Sequence, residues 1–438
     1  MYALINVRFY DYKNYQENVS IIFDEHIRII KPMSEYRNAG YIEIDCTGKL
    51  VMPGLISGHT HLYSTFARGM AIDFNPQDFL DILKQLWWKM DHFLDLDLVY
   101  HSAFMGALEQ MSSGTTTLID HHASGSIRGS LNMVKKAVVD ELKLRAVLAF
   151  ETSDRFDVSS AIEENLEFIK NNSQKTVSGL FGMHASLSLS DETLTEISAK
   201  LDGAGIHVHV AESLLDEEDC LNKYGMRVVE RLESFNLLNE KSLLVHCTHI
   251  DEAEMDIIKK HRSTIAINVT SNLNNAVGIS QVKKFLDKGI RVISGNDGLL
   301  PSQPIEYLNI YYLSHLLGKS PTAFSLDDLR TIINNTYDYA NEMLKTNLGS
   351  IKEGAEADLV IVDFKPYTPV NKTNIFGHVF FGVFPSFKPE TVIAGGKMLI
   401  EDYRTKEDFQ ERFSLAKEKS DRLWKLIGKE GKDVRFKY

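Results

Sequence analysis

Short apolar runs recur through the middle of the chain, separated by stretches with helical spacing. They cover Val51 to His59, Thr115 to His121, Arg145 to Glu151, Val177 to His184, His207 to Glu212, Leu243 to His249, Ile265 to Thr270 and Arg291 to Asp297. Between them lie helical patterns such as Leu96 to Ser112 and Asp191 to Asp202. Strand-like runs alternating with amphipathic segments indicate parallel βα units. Eight such units predict an α/β protein built as a (β/α)₈, TIM-type barrel.

The two ends of the chain have a different rhythm. A-L-I-N-V-R-F-Y, V-S-I-I-F-D-E-H-I-R-I-I and Y-I-E-I-D alternate as strands, and Asp45 to Lys49 reads as a turn. Ser350 to Ile400 again holds short strands with glycine turns, in I-K-E-G-A-E-A-D-L-V-I-V-D and T-V-I-A-G-G-K-M-L-I. The first piece is too small to fold well alone, so a small discontinuous β-sandwich domain built from both chain ends is expected. The expected division is 1–52 and 350–405 for that domain, 53–349 for the barrel and 406–438 for a C-terminal helical segment. In that last segment, Lys406 to Lys432 is charged and periodic.

Composition narrows the function classes. A net charge of -12 argues against a nucleic-acid surface, which shows basic clustering. The three cysteines form no C-x-x-C pair, which fits a reducing compartment. The small-domain base deaminases with an H-x-E…P-C-x-x-C signature are excluded on the same ground. No apolar run reaches the ~18 residues of a bilayer span. The N-terminal M-Y-A-L-I-N-V-R-F-Y-D-Y lacks the charged and apolar regions of a signal peptide. A cytoplasmic protein without membrane or nucleic-acid partners is therefore expected.

Barrel enzymes place their chemistry at the C-terminal ends of the strands, and several runs here end in reactive side chains. The first delivers His59 and His61, whose alternate positions share one side. Chance alone supplies roughly half of one such pair per chain at this histidine content, so the later ligands decide. The fifth run offers His207 or His209, one facing the lumen and the other a helix, with Glu212 just beyond; its position three past His209 favours His209. The sixth delivers His246 and the eighth Asp297. Three imidazoles and a carboxylate suit one Zn²⁺, or Fe²⁺, with a position left for water.

The motifs G-H-T-H, H-V-A-E, V-H-C-T-H and G-N-D-G resemble the signature of the amidohydrolase superfamily, in its mononuclear branch of guanine, cytosine and S-adenosylhomocysteine deaminases and triazine hydrolases. L-W-W-K-M-D, I-D-H-H-A-S, M-H-A-S and S-N-L-N-N-A-V-G resemble more narrowly the aminohydrolases associated with selenium metabolism. Asn296 stands where relatives usually carry threonine, which replaces no ligand. Binuclear members use a carboxylated lysine on the fourth strand, and V-S-G-L-F-G-M-H-A has none. The resemblance, with the chemistry, implies His59, His61, His209 and Asp297 as metal ligands. Asp297 also takes the water proton, Glu212 shuttles protons and His246 orients the attacking oxygen. The implied reaction is hydrolytic deamination of a small N-heterocycle of purine, pyrimidine or triazine type, by a homo-oligomer of two or more chains. Triazine-type loss of another leaving group is the alternative, and a non-catalytic scaffold a further one that the complete ligand set disfavours.

Further residues line the expected rim. His184, Arg155, His122 and Trp88 are candidate substrate contacts. His121, Glu151 and Arg68 are candidates for the same rim or for structural hydrogen bonds. Trp87 and Trp88 lie on a segment that covers the pocket or simply packs as a helix. His249 and Cys247 read as supports for His246, and His378 as a structural residue.

Overall fold

A computed structural model describes residues 1–298, 300–431 and 434. The chain opens with β1 (Tyr2–Tyr10), β2 (Tyr15–Phe23), β3 (Ile27–Pro32), β4 (Ile42–Asp45) and β5 (Lys49–Pro53). The second expected strand run is a hairpin rather than one strand. Asp24 accepts the His26 amide at 3.0 Å and turns the chain between β2 and β3.

The middle of the chain supplies β6 (Leu55–Thr60), β7 (Thr115–His122), β8 (Arg145–Phe150), β9 (Val177–Gly179), β10 (Phe181–Ala185), β11 (Ile206–Val210), β12 (Leu243–His246), β13 (Thr264–Ile267) and β14 (Arg291–Ser294). All pair in parallel, in the orders β6-β7-β8-β9 and β10-β11-β12-β13-β14. β9 and β10 are halves of one run, interrupted at Leu180; the first half pairs with β8 and the second with β11. At the opposite edges Thr60 bridges Asp297, and the amides of Asn296 and Asp297 donate to the His59 carbonyl at 2.9 and 3.1 Å. Gly58 permits this approach, since a Cβ there would lie 2.6 Å from the Ser294 carbonyl. The architecture is the expected (β/α)₈ barrel.

Strand alternation sorts the barrel side chains. Ile119, Val147, Leu180, Val245, Ala266 and Ile293 cluster inside the ring. Leu118, Leu148, Met183, Val208, Leu244 and Ile265 belong to the larger core under the helices.

The chain returns through β15 (Leu359–Asp363), β16 (Thr391–Ala394), β17 (Lys397–Glu401) and β18 (Arg404–Thr405). With β1 to β5 these strands hydrogen-bond as β18-β17-β16-β15-β5-β1-β2-β3, with β4 beside β1. Here too the period is two. Val51, Leu359, Ile361 and Ile393 join an apolar cluster with Leu4, Phe9 and Ile21. Their neighbours Leu50, Met52, Val360 and Val392 join the main core. The run expected as one barrel strand from Val51 is thus divided between two sheets, with the break at Gly54. Pro53 has no amide to continue the ladder, and a Cβ on Gly54 would overlap Thr116.

The terminal helix runs Gln410–Glu430 and ties back through Trp424, whose indole N–H donates to the Phe66 carbonyl at 2.7 Å. It begins later than Lys406, whose amide is still bound to Leu399 at 2.9 Å. Positions 432, 433 and 435–438 of the expected helical segment lie outside the described residues. Among the described residues no helix is long and apolar enough to cross a membrane.

Arg145, at the start of β8, joins the barrel to the terminal sheet. Its guanidinium binds Asp358 at 3.0 and 3.2 Å and Glu356 at 3.2 Å, all three side chains being buried. Replacing Arg145 by Met leaves the buried Asp358 carboxylate without its cation, while Glu356 keeps Lys175 at 3.0 Å, and should cost about 3–5 kcal/mol of unfolding free energy. Denaturant titration checks this; a loss below about 1 kcal/mol contradicts it.

Candidate active site

His59 and His61 on β6, and His207 and His209 on β11, share the inward phase of their strands. The expected split of His207 and His209 between lumen and helix is corrected: residues two apart on a strand share a side. His207 lies deeper, with Nε2 2.8 Å from His59 Nδ1 and its ring centroid 4.6 Å from that of His121. His209 stands at the rim, its Nε2 3.2 Å from His61 Nε2.

Glu212 and His246 are out of phase. Val245 points inward, so His246 on a regular strand would face the helices, and Glu212, three past His209, would do the same. Left-handed backbone at Ala211 (φ 46°), His246 (φ 69°) and Cys247 (φ 49°) breaks the alternation and turns both side chains into the barrel mouth. Glu212 Oε2 thereby comes within 3.4 Å of His246 Nε2, and its Oε1 accepts from Asn275 at 3.3 Å. Asp297, itself at φ 55°, closes the site from the end of β14.

Each imidazole is oriented from behind. His61 Nδ1 donates to the His121 carbonyl at 2.6 Å and His209 Nδ1 to the His184 carbonyl at 2.9 Å. His246 Nδ1 donates to Asn272 Oδ1 at 2.8 Å, and the Asn272 amide donates in turn to Thr248 and Ser280. The Nε2 atoms are left facing Asp297, at 3.8 Å for His59, 3.1 Å for His61 and 3.7 Å for His246. Nε2 of His59 and of His246 is buried with no hydrogen-bond partner. Buried nitrogen lone pairs turned on one carboxylate suit a divalent cation.

The electrostatics agree. Burial, and then neighbouring imidazoles, hold His59 and His209 well below the usual histidine range. Burial would lower His61 too, but its hydrogen bond and attraction to Asp297 raise it to about 9. Burial pushes the Glu212 carboxyl up, against the pull of His246.

A cleft opens above these groups. His184 and Trp88 line it, with Phe79, Leu83 and Trp87 forming an apolar wall. The tryptophan segment therefore covers the cleft as well as packing as a helix. Glu151 lines it as well, held by Arg155 at 2.7 Å. Arg155 sits behind this wall, buried between Glu151 and Asp91 (2.9 Å) and stacked 4.8 Å from the Trp88 ring. His122 occupies the outward phase of β7, bound to Ser124 at 3.0 Å. His121, inward on β7, touches the deep histidines instead of the cleft. Arg68 pairs with Glu109 at the surface, His249 binds the Val277 carbonyl, Cys247 is buried and His378 binds the Pro369 carbonyl. Asn296 turns away from the cleft to Gln110 and Ser57.

Asn272, Asn275 and Asp216 were not singled out by sequence reasoning. The first two lie in S-N-L-N-N-A-V-G, so a signal was present without a role attached to it.

A model of the amidohydrolase family matches residues 50–399. The chain belongs to the amidohydrolase family. A 5-methylthioadenosine/S-adenosylhomocysteine deaminase of Thermococcus sibiricus is 30% identical to this amidohydrolase over 86% of its chain and 89% of the relative's. A 5'-deoxyadenosine deaminase of Methanococcus maripaludis is 31% identical with the same coverage. Among solved structures, an adenosine deaminase from Xanthomonas campestris with bound zinc gives a TM-score of 0.82 at 20% identity, covering 96% of this chain and 98% of that one. Atrazine chlorohydrolase of Arthrobacter aurescens, complexed with zinc, gives 0.78 at 19% over 96% and 100%. The narrower likeness to selenium-associated aminohydrolases rests on the sequence motifs alone.

With His61 carrying a proton below pH 9 in the metal-free protein, cation uptake must displace it. About one proton should be released per ion at pH 7.5, and affinity should rise about tenfold per pH unit up to about pH 9, then flatten. Calorimetry in buffers of different ionisation heat measures this; uptake without proton release contradicts it.

Proposed function

We propose that this amidohydrolase removes the exocyclic amine of a purine-like ring by hydrolysis, releasing ammonia. The observation that carries the reading is the pairing of Glu212 with His246 beside Asp297 and the histidine donors, an acid–base pair facing a cation site. The relatives above are named for adenosine derivatives, which share a 6-aminopurine, and this favours an amine as the leaving group.

His59, His61, His209 and Asp297 would hold the metal, zinc being the ion named in both structural neighbours. Such an ion lowers the pKa of bound water towards neutrality. The chain's own residues do the rest. Asp297 Oδ2 accepts the water proton, as a carboxylate facing the mouth of the barrel. Glu212, whose carboxyl burial pushes up, protonates a ring nitrogen as the C–O bond forms and then carries the water's second proton to the departing amine, while the proton taken by Asp297 returns to Glu212 and restores both groups. His246 Nδ1–H is committed to Asn272, so its Nε2 bears hydrogen only as imidazolium, the form that steadies negative charge developing on oxygen. His184 Nδ1 lies 2.6 Å from Ser188 Oγ, whose own hydroxyl donates to Ala185. His184 Nε2 is therefore an acceptor for a substrate hydroxyl or N–H. The apolar wall of Phe79, Leu83 and Trp87 stacks on the flat ring.

Zinc-loaded protein should release ammonia from at least one of adenosine, 5'-deoxyadenosine, 5-methylthioadenosine and S-adenosylhomocysteine. Glu212→Gln should lower kcat by about 10²-fold or more while keeping its metal. Silence on all four compounds, with turnover of a chloro- or methylthio-triazine instead, would move the reading to another leaving group. Loss of metal in Glu212→Gln would make Glu212 a ligand.

A further inference from the structure

Asp216 lies in the first turn of the helix Leu214–Tyr224 and is buried at the wall of the cleft. Its side chain folds back across two loops. Oδ2 accepts the Ala211 amide at 3.0 Å, and Oδ1 accepts the Leu187 amide at 3.0 Å. Ala211 is the left-handed residue that rotates Glu212 into the site. Leu187 belongs to the short turn Ser186–Ser188, which follows His184 and also lines the cleft. An alanine resists positive φ, because its Cβ crowds the carbonyl oxygen. The conformation therefore persists only where partners over-determine it. The Ala211 carbonyl has one such partner in the His249 amide at 3.2 Å. The other is Asp216.

We propose that Asp216 is a positioning residue: by accepting both amides it locks the Ala211 turn and holds Glu212 in register with the loop that carries His184. Asp216 reaches neither Glu212 nor the histidine donors by a hydrogen bond; it places Glu212 through the Ala211 backbone, beside the repulsion that the two buried carboxyls share. The inference rests on the assignment of Glu212 as proton shuttle, yet the placement it predicts can be read without turnover.

The test compares Asp216→Ala with the double variant Asp216→Ala/Ala211→Gly, both zinc-loaded. Losing the acceptor should lower kcat about 30- to 100-fold, with KM changed less than about threefold and metal retained. Glycine accepts positive φ without strain, so the double variant should recover about tenfold of the lost kcat. A general folding defect would not be rescued in this way. No recovery, or a loss carried by KM, overturns the proposal. Crystal structures of the single variant supply the second reading. Glu212 drawn away from His246 supports the role, and Glu212 unmoved overturns it. If the parent protein deaminates nothing, the deaminase reading falls, and the crystallographic comparison still decides the role of Asp216.

Discussion

The site depends on a conflict between the period of a β-strand and the spacing of the groups it must present. Inside the barrel only alternate residues face the axis. His59, His61, His207 and His209 obey that rule, and Asp297 continues the inward phase of Ile293. Glu212 and His246 violate it, and left-handed residues at Ala211, His246 and Cys247 reconcile them with the strand. The chemistry divides along the same line. In the function proposed above, the in-phase His59, His61, His209 and Asp297 would be the cation's donors and the out-of-phase Glu212 and His246 the acid–base pair that faces them.

Burial gives this division its strength. Most of these groups have little or no contact with solvent, so each charge is felt by the others at low effective dielectric. Attraction to Asp297 raises the His61 imidazole to about 9, and burial pushes the Glu212 carboxyl up. Arg155, a full charge close by, is cancelled between Asp91 and Glu151 and kept out of the cleft. The cleft itself is then free to be apolar on the side of Trp87 and Trp88, where a flat ring would rest.

Much of this was legible from residue pattern. Alternating apolar runs imply a parallel barrel, and reactive residues at run ends imply where its active face lies. The strand-to-sheet assignment was less legible, because Val51 to His59 is continuous in apolar pattern and is divided only by the missing amide of Pro53 and the crowding at Gly54. Left-handed backbone at an alanine or a histidine leaves no mark in the sequence, so neither the kinks nor the role of Asp216 was foreseeable. Arg155 and His122 stand at or just beyond the ends of strand runs, which marks them as rim candidates without giving their direction. The first is drawn behind the wall by Asp91, and the second sits one residue out of phase.

The central claim, that the in-phase residues bind metal and the out-of-phase pair does not, is tested most directly by counting metal. Zinc per chain would be measured by mass spectrometry after dialysis, in the parent and in His61→Asn, His209→Asn and His246→Asn. The account predicts about one ion in the parent and in His246→Asn, and a large loss in the other two. Metal lost from His246→Asn and kept in His209→Asn would contradict it.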